Sequence, residues 1–202
     1  MLNRKLFYDH VRMGLFSGHL SRPQVTGIEA ILDAWEAGAG GPDPRQLAYV
    51  LATAYHETAA AMQPVRETLA DSDEEAIRIL DAAFRKGQLP RVREPYWRRD
   101  ADGLSWLGRG LVQLTHKDNY IRMSREIGFD LATDPARAME MDVAVCILLA
   151  GMRKGLFTGR RLDDYFAAGK ADWTGARRIV NGLDRAEAIA GYGRSFLTAL
   201  GH

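Results

Sequence analysis

The sequence predicts a mainly α-helical domain of the α+β class, with one small β-hairpin or loop lobe. Three observations carry this expectation. Helix-start signals, each a Ser or Asp followed within three residues by Pro, Gln or Glu, recur ahead of apolar positions spaced three and four apart. Residues 90–108 break that rhythm, with aromatic and charged side chains interleaved. No internal repeat, low-complexity tract or linker divides the 202 residues. One domain over 1–202 is therefore expected, with two lobes either side of a cleft.

Residues 3–16 form the first predicted helix, with Leu6, Phe7, Val11 and Leu15 near one face. Ser21-Arg22-Pro23-Gln24 has capping-box form, with Ser at the N-cap and Gln at the third helical position. The helix that follows has Val25, Ile28, Ile31, Leu32 and Trp35 as its core stripe and stops at Gly38 to Gly41. Asp43-Pro44-Arg45-Gln46 repeats the signal and opens a third helix, with Pro64 at or just beyond its end. Ser72-Asp73-Glu74-Glu75 starts a fourth, with Ile77, Leu80 and Phe84 inward and Gly87 as its stop. Between Pro90 and Gly108, the aromatics Tyr96, Trp97 and Trp106 mix with six charged residues from Arg93 to Asp102, and Asp102-Gly103 signals a tight turn. This reads as an irregular hairpin or exposed loop that must lean on the helices. Helical patterns return at 117–127, at 135–152 after Asp134-Pro135, in short pieces near 161–168 and 173–180, and at 184–199.

Composition excludes several classes. The net charge of +1 gives no basic footprint for nucleic acid. No stretch is long and apolar enough for stable membrane insertion, and the N-terminal MLNRKLFYDHVRMGLF lacks a signal peptide's uninterrupted apolar run. The protein is expected to be made in the cytoplasm and to need another agent for export. Cys146, alone in the run VAVCILLA, reads as a buried, inert thiol.

The chemistry centres on Tyr49–Thr68, which carries Glu57 and Glu67 ten residues apart. Glu57 shares a helical face with Val50 and Ala54. An acid among apolar neighbours is costly to ionise, and that keeps it protonated as a proton donor. The alternative places Glu57 at the edge of the face, reaching solvent or pairing with an arginine. Glu67 lies beyond Pro64 between Arg66 and Thr68, in a polar loop that favours ionisation. One protonated and one ionised carboxylate suit glycosidic hydrolysis. A zinc motif is excluded, because Ala60 stands where His56-Glu57 would need a second histidine; no metal or other cofactor is expected. In Trp106–Thr115, Gly108 and Gly110 allow sharp turning and close approach, and an extended backbone would point Gln113 and Thr115 the same way along a groove. The other reading is a structural turn with Gln113 tied to backbone. Arg177-Arg178-Ile179-Val180-Asn181-Gly182 suggests a turn that presents Asn181 to the cleft, or a plain helix cap. Tyr96, Trp97 and Trp106 are candidates for stacking on sugar rings, or for core.

Taken together these blocks resemble glycoside hydrolase family 19, the chitinase family whose phage and prophage branch acts as endolysins on a lysozyme-like helical fold. Tyr55-His56-Glu57-Thr58 is similar to the family's H-E-T helix motif, and Gly108–Thr115 to its G-R-G-x-x-Q-L-T signature. Asn119-Tyr120 matches the N-Y that follows, and Ile179-Val180-Asn181-Gly182 the late I-x-N-G segment. The resemblance implies an inverting hydrolase, with Glu57 protonating the leaving oxygen and Glu67, in an R-E pair with Arg66, as general base. It implies that Thr115 holds the attacking water, that Gln113, Asn119 and Asn181 bind N-acetyl sugars, and that His56 supports the acid or the substrate. Trp106, Tyr120 and Arg178 complete the expected substrate-binding set. An inverting pair stands about 6.5–9.5 Å apart. The sequence departs from the pattern in three places: the Glu57–Glu67 connection is short, which leaves Asp71 as a substitute base; Leu111 replaces a proline; and the late segment has a single glycine. Residues 72–106 add a helix and a charged aromatic loop, where substrate choice is expected to be set.

The expected function is therefore a monomeric endolysin that hydrolyses the β-1,4 glycan strand of peptidoglycan. It would act at the cell wall or periplasm after release through a separate holin-type membrane pore. The alternatives are a chitinase on N-acetylglucosamine polymers and a non-catalytic glycan-binding phage structural module.

Overall fold

Every residue from Gln46 to Ala54 is buried, on all sides of one helix, α3 (Pro44–Glu57). A helix covered all round needs small or apolar residues on each face, and Leu47, Ala48, Val50, Leu51, Ala52 and Ala54 supply them. The buried hydroxyl of Thr53 returns to the Tyr49 carbonyl at 2.9 Å. Asp43 caps the helix by accepting from the Arg45 N–H, with Pro44 in the first position. Gln46 does not reach back to that cap as the start signal implies. It is buried and donates to Asp163 and to the Phe166 carbonyl.

The structure is a computed structural model that describes residues 2–201; the end residues of the expected 1–202 domain lie outside it. The chain forms two compact units, one comprising the segments up to Gln63 and from Leu148, the other Pro64–Ile147. The first contains α1 (Arg4–Gly14), α2 (Arg22–Ala34), α3 and α7 (Ala186–Ala199), with α7 packed along α3 and α1. The Ser21–Gln24 capping box forms as predicted. Ile28, Ile31, Leu32 and Trp35 are buried, while Val25 is only half-buried and Leu6 of the α1 face is exposed. Past Ala34 the chain makes one wider π turn, Trp35–Ala39, and Gly38 takes a φ of 102° that ends it. A hairpin that periodicity did not reveal, β3 (Phe166–Ala167) with β4 (Lys170–Ala171), follows the 3₁₀ turn Leu162–Asp164. The rings of Phe166, Trp173 and Tyr49 meet edge to face or tilted. Gly193 of α7 admits the Trp173 ring, which would lie 2.7 Å from a methyl at that position.

The second unit contains α4 (Asp73–Arg85), α5 (Lys117–Ile127) and the 3₁₀ turn Pro135–Met139. Helix α6 (Met141–Lys154) begins in this unit and ends in the first. The predicted 135–152 helix is thus broken at Glu140, whose extended backbone separates the 3₁₀ turn from α6. Cys146 of α6 is half-buried rather than enclosed, and burial raises its thiol pKa. The small β element lies elsewhere than expected: β1 (Val65–Arg66) pairs antiparallel with β2 (Arg109–Gly110). Residues 90–106 form no strand; Asp100–Leu104 closes a turn with Gly103 at φ +78°. Nor is that stretch simply exposed. Trp97 is fully buried in a cluster with Ala70, Ala76, Leu80 and Leu107, and its indole N–H donates to Asp81 at 2.8 Å.

In the two-residue hairpin, Arg66 and Arg109 are directly opposed across the strands. Like charges in that position repel. Asp73, the first residue of α4, resolves the conflict by accepting from Arg66 Nε at 2.8 Å through one oxygen and from Arg109 Nη2 through the other. Arg109 is 1% exposed and also donates to the carbonyl of Ser105 and the hydroxyl of Tyr120. Burial alone would raise the Asp73 carboxyl pKa, but the hydrogen bonds from Arg109 and Arg66 outweigh it and hold the group below its ordinary 3.8. The stability that Asp73 confers is therefore complete above the unfolded-state value and is lost as pH falls through the folded one. Asp73→Asn should cost about 3 kcal/mol at neutral pH by leaving a buried guanidinium uncompensated. Urea titrations at pH 7 and pH 3 should show a smaller acid-induced loss for this variant than for the parent.

Candidate functional site

Glu57 is the last residue of α3, not a mid-helix residue, and Pro64 plays no part in stopping the helix. The stop is a run of left-handed residues, with Ala59, Ala60 and Met62 at φ 48°, 67° and 52°. Such conformations are unfavourable for side chains with a Cβ and persist only where neighbours impose them. Here Thr58 imposes them: its hydroxyl donates to the Ala54 carbonyl at 2.7 Å and accepts from the Met62 N–H at 2.9 Å. The Ala60 N–H bonds the Tyr55 carbonyl, and the Gln24 side chain of α2 holds the Ala60 carbonyl. Gly27 lets α2 press against this turn, since a methyl there would lie 1.6 Å from the Met62 carbonyl oxygen.

The Glu57 side chain keeps 15% of its surface exposed and is not surrounded by apolar groups alone. Oε1 accepts from Arg177 Nη1 at 2.5 Å, so of the two sequence readings the arginine pair is the one observed. Arg177 is buried in the 3₁₀ turn Gly175–Ile179, and its Nε donates to the Asp184 carbonyl at 3.2 Å. Among the described residues, Glu57 Oε2 accepts no hydrogen bond. His56 beside it is half-buried; burial lowers its imidazole pKa, against the pull of the Glu57 charge. The structure thus names Arg177 as the arginine on the acid, a residue the sequence reading did not single out. Arg178 is exposed and contributes its carbonyl to the Thr158 hydroxyl. Asn181 is exposed too, its side-chain oxygen accepting from the Gly182 N–H at 2.8 Å. Two adjacent arginines cannot be told apart by composition; only the phase of the turn decides which faces inward.

In the second unit, Glu67 is not a free loop acid. Oε1 accepts from the Tyr96 hydroxyl at 2.7 Å and Oε2 from the Gly108 N–H at 2.8 Å. Its own N–H donates to the Gly108 carbonyl at 2.7 Å. Both oxygens are fixed in orientation, and each retains a second lone pair able to accept a proton or a water. The Glu67 charge adds to burial in raising the Tyr96 phenol pKa. Gly108 lets these groups approach closely: a methyl there would stand 2.8 Å from the Gln113 side-chain oxygen, which would have to move, and 3.3 Å from Glu67 Oε2. Asp71, the other candidate base, has an exposed side chain, and its backbone carbonyl is what Arg66 holds.

The G-R-G-x-x-Q-L-T block is not extended through Thr115. Arg109 and Leu114 exchange backbone hydrogen bonds across a tight turn, with Gly110 at φ 98° and Gln113 at φ 56°. Gln113 and Thr115 therefore do not point along one edge. The Gln113 side chain donates to the Val65 carbonyl at 2.9 Å and braces the strand that leads to Glu67. Thr115 is half-buried, and its carbonyl accepts from the Asn119 side chain at 2.9 Å, closing the first turn of α5. Tyr120 is not available to a ligand: it is fully buried, and its hydroxyl joins Arg109 to the Leu107 carbonyl. Trp106 is likewise core at 4% exposure, edge-on to Tyr120 with its N–H on Asp100. Both were expected in the substrate-binding set, Trp106 with core as its other reading; a motif match such as Asn119-Tyr120 gives position in the chain but not the side of the backbone that faces inward. Tyr96, 29 residues from Glu67, carried no local signal of its role. Among the described residues no group of three or more His, Cys, Asp or Glu is placed to hold a metal ion, and no helix is long and apolar enough to cross a membrane.

No protein-family model matches the sequence, and no curated protein sequence matches it. The similarity lies in structure. A crystal structure of chitinase C, in a form with a glutamate-to-glutamine substitution, superposes with a TM-score of 0.54 at 18% identity, over 99% of this chain and 92% of that one. This shows the fold to be mainly helical and lysozyme-like, as in that chitinase. The two arginines provide a test of the Glu57 environment. Arg177→Ala should cost about 3 kcal/mol by stranding a largely buried carboxylate, whereas Arg178→Ala should change stability by no more than about 0.5 kcal/mol. Chemical denaturation of the two variants side by side measures the contrast.

Proposed function

We propose that this chain is a glycoside hydrolase that cleaves the β-1,4 glycan strand of peptidoglycan, in the manner of an endolysin, by inverting acid/base chemistry. The observation that carries the reading is how the two motif-borne carboxylates are held. Glu57 is anchored through one oxygen with the other left open, and Glu67 is oriented through both. General acid and base catalysis needs side chains fixed in orientation with a site left for the transferred proton. The helical, chitinase-like fold supports the same chemistry.

In this reading Glu57 Oε2 delivers a proton to the glycosidic oxygen as its bond to the anomeric carbon breaks. A water attacks that carbon from the opposite face and loses its proton to Glu67, which gives a product of inverted configuration. Thr115 steadies the water. His56 and the exposed Asn181 contact sugar, while Gln113 acts from behind by bracing the strand that carries Glu67. The working protein is a monomer without nucleic-acid partners, made in the cytoplasm and released to the wall by a separate holin-type pore. A chitinase on N-acetylglucosamine polymers is the second reading, favoured by the likeness to chitinase C.

Purified protein offered to outer-membrane-permeabilised Gram-negative cells and, separately, to chitin oligomers decides between the two. Turbidity loss without chitin cleavage is the expected result, and cleavage of chitin alone would overturn the endolysin reading. Glu57→Gln keeps the shape and removes the acid, and should lower kcat by about 10²–10⁴-fold. Lysis retained by that variant would sink the mechanism, and absence of hydrolysis by the parent on either glycan would leave the non-catalytic glycan-binding module. NMR of the first-formed anomer tests inversion.

A further inference from the structure

The chain segment 91–96 and His116 bound an open groove of about 790 Å³, within the size range of small-ligand sites. The neighbouring cations are each matched: Arg98 to Asp81, Arg99 to Glu74, Arg109 to Asp73 and Lys117 to Asp100. Arg91 and Arg93 on the groove are exposed and, among the described residues, form no ion pair. Glu94 is the one carboxylate on the rim, so the lining carries a net positive charge before His116 is counted.

The groove also adjoins the candidate base. The ring of Tyr96 lies 4.1 Å, centre to centre, from the His116 imidazole, and its hydroxyl holds Glu67. A ligand in the groove is thus one side chain away from that carboxylate. His116 has φ 67° and ψ 136°, outside the left-handed helical region. A residue with a Cβ adopts that conformation only under constraint, and such residues concentrate at ligand sites. The constraint comes from its N–H on the Trp106 carbonyl and from its own carbonyl, which accepts the N–H groups of Asn119 and Tyr120.

Two unpaired guanidinium groups call for an anion, and planar carboxylates suit them best. An N-acetylglucosamine polymer is uncharged and offers none, whereas the peptide branches of peptidoglycan end in free carboxylates. We infer that this groove is a subsite for the carboxylate-bearing peptide branch of peptidoglycan, with Arg91 and Arg93 as its anion ligands. The inference rests on the proposed substrate and extends it from the glycan strand to the peptide attached to it.

The test is co-sedimentation with insoluble peptidoglycan, either intact or stripped of its free carboxylates by amidation with carbodiimide and ammonia, with Glu57→Gln as the background so that the glycan survives. The parent should bind intact material about tenfold more tightly than stripped, and Arg91→Ala/Arg93→Ala should erase that preference. Half-molar salt should weaken the preference as well. Equal binding of the parent to both materials, or an undiminished preference in the double variant, overturns the subsite. An unchanged melting temperature for the double variant confirms that the loss is local. Hydrolysis on the Glu57 background separates this inference from the function itself. An arginine-dependent preference in a protein that cuts neither glycan would leave the subsite standing and the hydrolase reading lost. Cleavage of both glycans with no such preference would do the reverse. In an active enzyme the double variant should raise KM on intact peptidoglycan and leave it unaffected on the amidated material.

Discussion

The second unit depends on one carboxylate shared by two opposed arginines. A hairpin of two residues per strand has too few hydrogen bonds to stand alone, and this one begins with Arg66 facing Arg109. Asp73 turns the repulsion into an anchor and, as the first residue of α4, fastens the hairpin to a helix. Arg109 extends the anchor inward to Ser105 and to Tyr120 of α5. Glu67 follows Arg66 and Gly108 precedes Arg109, so the same junction sets the carboxylate and its N–H donor side by side. Breaking the ion pair would thus affect more than stability.

The first unit handles its acid by the same logic with different parts. A helix buried on all sides cannot carry a charge along its middle, and Glu57 comes at its last turn, where the chain can turn away and a guanidinium can approach. The left-handed residues that follow are unfavourable in themselves. Thr58, Gln24 and the missing side chain at Gly27 stabilise them from three directions. The threonine of the H-E-T motif therefore shapes the turn beneath the acid, a role in geometry rather than in sugar recognition.

Much of this architecture was legible in the chain. Several local signals held: the Ser21–Gln24 box, the Asp43-Pro44 start, the Ser72 cap and the 117–127 helix all formed. These depend on hydrogen bonds between residues a few positions apart, which no distant packing needs to supply. The same applies to the existence of two carboxylates within characteristic blocks. Statements about facing were decided by the fold: Tyr120 went to the core, Trp106 took its core reading, and the block ending at Thr115 took its turn reading. The partners that fix Trp106 and Glu57 lie 6 and 120 residues away.

The sequence by itself determined the helical class, the helix starts and the candidate acids, because periodicity and capping are written within a few residues. Only the tertiary structure decided what each acid touches: a buried arginine on Glu57, and a tyrosine hydroxyl and a backbone N–H on Glu67. The physical reason is that charge and hydrogen bonding at short range depend on spatial neighbours. Neither Arg177 nor Tyr96 is a neighbour of its carboxylate until the chain has folded.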